Sequence, residues 1–122
     1  MRFARIVFRI AGTWGLIILT PLYWLFPGDA GGPGAVFTYG QAYFGFLGVT
    51  VAWQIAFFVI ASSPVTMRRL MPVAIVEKAA YVLPIAILAA QGRVTGAQAS
   101  SAVPDVILGS LFVAAYVKTG RT

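Results

Sequence analysis

The chain contains no cysteine and no histidine, and its only acids are Asp29, Glu77 and Asp105. Without cysteine there is no disulfide framework, no thiol redox chemistry and no Cys-ligated zinc or iron–sulfur cluster. Without histidine, histidine-ligated haem or metal and histidine general-base catalysis are excluded. Three carboxylates spread along the chain argue against an all-protein divalent metal site. No cofactor is expected. Charge of either sign is scarce, at 10% of residues, against about 25% in soluble domains.

What is present is apolar. Of 122 residues, 60% are hydrophobic, and the mean hydropathy is +0.88. The composition is that of an integral membrane protein, and the length fits one domain over 1–122. The net charge of +6 does not mark a nucleic-acid partner. The basic residues flank apolar runs and form no patch, so they read as topology signals.

Four spans are expected, at 10–26, 39–61, 70–91 and 102–118. The first follows Arg2, Arg5 and Arg9 and resembles a secretory signal peptide at its start. The run is long, however, and Pro21 and Trp24 sit near its end. The following PGDAGG offers no cleavage site of the A-x-A kind. It is read as an uncleaved first helix. Residues 27–34 (PGDAGGPG) are a loop, because glycine and proline exclude a regular element. Residues 62–66 form a turn around Ser63-Pro64, and 92–100 a small-residue loop holding Arg93.

Four spans put both termini on one side. With the N-terminus inside, Arg2, Arg5, Arg9, Arg68, Arg69, Lys118 and Arg121 lie inside and Arg93 alone lies outside. That bias predicts an all-α four-helix membrane bundle, N-in and C-in, in a bacterial inner membrane. It argues against a dual-topology dimer.

At 100° per residue the polar positions of each span share a face. These are Arg2, Arg5, Arg9, Thr13, Thr20 and Tyr23 in the first, and Tyr43, Thr50 and Gln54 in the second. In the third they are Glu77, Tyr81, Pro84, Leu88 and Gln91, and in the fourth Asp105, Gly109, Phe112 and Tyr116. Lipid supplies no partners for polar atoms, so all four stripes are expected to face the bundle axis. A separate strip, Gly45, Gly48, Ala52 and Ala56, suits close helix packing or self-association.

The stretch at 68–91, RRLMPVAIVEKAAYVLPIAILAAQ, holds the most informative residue. An acid inside such a run costs roughly 2.5–3.5 kcal/mol on insertion scales. Glu77 therefore reads either as a proton- or ligand-binding acid in a cavity, or as a structural acid paired with Arg9, Arg68, Arg69 or Gln54. The candidate site is Glu77, Gln54, Tyr81, Arg9 and Asp105. Lys78 is expected to snorkel to the inner surface and, as a sequence neighbour, not to pair with Glu77. Asp105 follows Ser100, Ser101 and Pro104 and reads as a helix-start acid complementing the helix dipole. Counted from the span ends, it falls in the opposite leaflet, about 15 Å or more from Glu77. Pro84 reads as a packing kink, Trp14 and Trp53 as bulk, and Trp24 as an interface anchor.

The layout resembles small bacterial four-span inner-membrane proteins. Small multidrug transporters are similar in size, but their acid lies in the first helix, where this chain has none. Fluoride channels are similar in size but are dual-topology dimers. The stretch Pro-x-x-x-x-Glu-Lys at 72–78, with Asp105 opening the last helix, resembles DoxX-like proteins and the sterol-isomerase-like four-helix group. That resemblance implies acids facing a lipid-accessible cavity, and no catalytic assignment is carried over from it. The leading expectation is a non-enzymatic accessory or lipophile-binding bundle. Its partners would be membrane lipids, with a homo-oligomer or a larger membrane complex as further partners. The alternatives are an oligomeric proton-coupled transporter or channel, or a lipid isomerase using Glu77 as its acid–base group.

Overall fold

The computed structural model describes residues 2–25 and 39–120. The expected loop at 27–34 lies outside them. Among the described residues the long elements are all helical, and four are long and apolar enough to cross a membrane: Arg2–Tyr23, Gly40–Ser62, Arg68–Ala90 and Gly96–Thr119.

Helix α1 (Arg2–Leu19) tightens into a 3-10 turn at Thr20–Tyr23, where Pro21 cannot donate the next helical hydrogen bond. Helix α2 (Tyr39–Ser62) ends at the expected Ser63-Pro64 turn, and the Met67 amide donates to the Ser63 carbonyl at 2.9 Å. After a 3-10 turn at Arg68–Leu70, α3 (Met71–Ala90) starts with Pro72 in its first turn, where a missing N–H costs nothing. It stops at Gly92, whose φ of +72° suits glycine. There the Gly92 amide donates to Ala89 and the Arg93 amide to Leu88, the paired closure of a glycine-terminated helix.

The next helical stretch starts earlier than the sequence reading has it. Thr95 caps the short α4 (Gly96–Ala99): its hydroxyl accepts from the Gln98 amide, and the Gln98 side chain accepts from the Thr95 amide. The chain then passes through a 3-10 turn, Ser100–Ala102, into α5 (Val103–Thr119), with Pro104 in its first turn. Most of 92–100 is therefore helix, because a reciprocal cap satisfies two amides that a loop would leave open. Likewise the first helix begins at Arg2 and not at residue 10.

The helices pack as two hairpins, α1 with α2 and α3 with α5. The hairpins join through one core, to which all four long helices contribute. Its centre is Phe8 stacked on Phe112 at 4.3 Å, with Phe57 edge-on to Phe112 at 5.0 Å. Met71 and Ala74 bring α3 onto the same cluster. Arg68 fastens the base, lying 3.8 Å over the Tyr116 ring while its Nε donates to the Tyr116 carbonyl at 3.1 Å. The backbones of α2 and α3 come close at few positions, and across the gap between them it is side chains that meet. The hairpins are joined at one end and diverge toward the other.

The close approach of α1 to α2 uses Gly12 and Gly15. A Cβ on Gly12 would lie 2.7 Å from the Phe58 ring, and one on Gly15 would overlap the Gln54 amide. The strip Gly45, Gly48, Ala52 and Ala56 takes no such part within the chain, since both of its glycines have open space around them. The polar stripe of α1 also differs from expectation. Arg2, Arg5, Arg9, Thr13, Thr20 and Tyr23 are exposed, while Ala4, Ala11, Gly12 and Gly15 are buried. Small side chains allow the tighter approach, so they take the inner face. The arginines sit near the helix start, where their long stems need no buried partner.

Candidate functional site

Between the diverging halves of the hairpins lies a cavity of about 780 Å³. The second half of α1, the middle of α2, the first half of α3 and the start of α5 line it. Most of its wall is apolar, including Trp14, Leu19, Phe46, Trp53 and Val76. Phe46 and Tyr81 stack across it with ring centroids 6.3 Å apart. The Tyr81 hydroxyl meets that of Ser101 at 2.7 Å, tying α3 to the start of α5.

One wall is polar. Lys78 is 6% exposed, and its Nζ donates to Asp105 Oδ1 at 3.1 Å and stands 3.7 Å from Glu77 Oε2. The same ammonium lies 5.2 Å from the centre of the Phe57 ring. Three ionisable groups thus share one apolar pocket, where a single base serves two acids. A charge in such surroundings is tolerated only when paired, and Lys78 pairs both carboxylates.

On the facing helix Gln54 is 1% exposed. Its Nε2 donates to the Thr50 carbonyl at 2.9 Å, while its Oε1, pressed against Gly15, has no hydrogen-bond partner. Glu77 Oε2 also lacks a hydrogen bond, with only the longer ion pair to Lys78 beside it.

Four of the five candidate residues, Glu77, Gln54, Tyr81 and Asp105, line this one cavity. Arg9 does not. It borders a separate shallow groove on the outer side of α1, with Ile10, Thr13, Trp14 and Ile17. Glu77 is paired neither with Arg9 nor with Arg68, which is committed to Tyr116.

Three expectations are corrected. Lys78 does not reach for the surface but is buried, it does pair with Glu77, and Asp105 is not remote from Glu77 but shares its ammonium. The cause is the helical start at Gly96. Asp105 lies nine residues inside it, about 13 Å along the axis, and Lys78 lies twelve residues back from Ala90, about 18 Å. The remaining offset is within the reach of a lysine stem. Asp105 does stand in the first turn of α5, as the dipole reading has it, but that turn is deep in the bundle. The sequence reading left out Lys78 and Ser101 as site residues and took Trp14 and Trp53 for mere bulk. The Thr95-x-x-Gln98 signature was the signal that would have corrected the depth of Asp105.

No protein-family model, curated protein or solved structure matches this chain, so the resemblance to DoxX-like and sterol-isomerase-like proteins rests on the layout, the 72–78 stretch and Asp105.

Proposed function

We propose that this chain is a small integral protein of a bacterial inner membrane, N-in and C-in, that holds a lipophile in the cleft between its hairpins. The observation that carries the reading is the cavity itself. At about 780 Å³ it falls within the roughly 300–1,000 Å³ of small-molecule sites, and it has their usual makeup of apolar walls with a few convergent polar groups. Val49 and Val76 on its flanks are each 63% exposed. In a bilayer those flanks face hydrocarbon, so a ligand enters sideways from the lipid. The orientation rests on the charge bias, seven inside against one outside. Because the chain lacks cysteine, single cysteines at 93 and 118 with an impermeant thiol reagent test it cleanly.

The binding reading is tested by native mass spectrometry of protein released gently from detergent. Wild type is expected to carry an adduct of defined lipophile mass, and Glu77→Gln to lose it while remaining folded. Bare protein in both would overturn the reading.

A second reading is an isomerase acting on a lipid. It is favoured by the meeting of Glu77 and Asp105 around Lys78, which supplies the partner group that acid–base chemistry needs. Turnover of a lipophile with a bell-shaped pH profile, abolished in Glu77→Gln, would replace simple binding by catalysis. Transport would require assembly of several copies through the Gly45, Gly48, Ala52 and Ala56 face, since four helices enclose only a thin pore.

A further inference from the structure

The polar wall of the cavity is richer in acceptors than in donors. Its two carboxylates accept. Against them stand the three protons of Lys78, already directed at both acids. Tyr81 and Ser101 satisfy one another. Glu77 Oε2 is left without a hydrogen bond, on a side chain that lines the cavity and is 16% exposed. Formally the cluster also holds two acids against one base.

We infer that the lipophile carries a hydrogen-bond-donating, non-anionic head, an ammonium above all and a hydroxyl second, which seats against the Glu77 and Asp105 carboxylates. This rests on the lipophile-binding reading and narrows it to one head-group chemistry. An ammonium supplies donors and balances the excess acid, and charge-assisted bonds of this kind are about twice as strong as neutral ones. A hydroxyl supplies one donor without the charge. A carboxylate head brings more acceptors and more negative charge to a wall that has both in excess. Its tail would lie along Trp14, Phe46 and Val76, toward the lipid.

The test is a head-group series of equal tail length, dodecylamine, dodecanol and laurate, titrated near neutral pH into the full chain in zwitterionic nanodiscs. The readout is quenching of the cavity tryptophans Trp14 and Trp53. The amine is expected to bind at least about tenfold tighter than laurate, with the alcohol between them. Glu77→Gln should shrink that ratio to about threefold or less, and Arg9→Gln, on the outer groove, should leave it unchanged. If Glu77→Gln does not fold, Asp105→Asn, which removes the other negative charge while still accepting from Lys78, must shrink the ratio in the same way. Laurate binding as tightly as the amine would overturn the head-group inference alone. Failure of every probe to quench would overturn the lipophile-binding reading beneath it.

Discussion

Lys78 decides what the polar wall costs. Removing it as Lys78→Met leaves Glu77 and Asp105 facing one another in an apolar pocket with no base between them. Loss of one member of a buried ion cluster typically destabilises by about 3–5 kcal/mol, so Lys78→Met should unfold at markedly lower denaturant or temperature in detergent. Asp105→Asn, which still accepts from Lys78, should cost less. Replacing all three groups together, as Glu77→Gln, Lys78→Met and Asp105→Asn, should recover most of the loss, because neutral groups of similar size pay far less desolvation than unpaired charges. A triple variant no more stable than Lys78→Met would contradict that view of the cluster. Glycines divide in the same residue-level way. Gly15→Ala drives a Cβ into the buried Gln54 amide and should cost about 1–3 kcal/mol as overpacking. Gly48→Ala meets open space and should stay within about 0.5 kcal/mol of wild type, measured in the same unfolding experiment.

At the scale of elements, the sequence was most readable where periodicity and composition speak together. Four apolar runs became four long helices, the Ser63-Pro64 turn ended α2, and the polar faces of α2 and α5 turned inward. Two things were less readable. The outward turn of the α1 arginines follows from Gly12 and Gly15 meeting Gln54 and Phe58, a contact between helices that one helix's pattern does not contain. The depth of Asp105 depended on a capping box hidden among small residues at 95–98. That cap also carries a prediction. Thr95→Ala removes the hydroxyl that accepts from Gln98 and should cost about 1 kcal/mol. The loss should be local, with faster amide hydrogen exchange over 96–102 and little change in the core around Phe112. Unchanged exchange there would mean that α4 does not depend on its cap.

The described helices form a wedge. Phe8, Phe57 and Phe112 lock both hairpins at one end, and the cavity lies beyond them. Glu77, Gln54, Tyr81 and Asp105 come from three helices and share a cavity because of that shape. Arg9, on the outer side of the same α1 that supplies Trp14 to the cavity, is left out of it. On the proposed reading a lipophile resides in the cleft between hairpins and not on the outer helix faces. Photo-crosslinking tests it most directly: a long-chain amine with a diazirine in its tail is irradiated with the protein in nanodiscs, and the labelled residues are mapped by mass spectrometry. The prediction is labelling of the cavity lining at Phe46, Trp53 and Val76, suppressed by excess dodecylamine. Labelling confined to outer-face residues such as Ile10 and Ile17, and indifferent to the competitor, would contradict it.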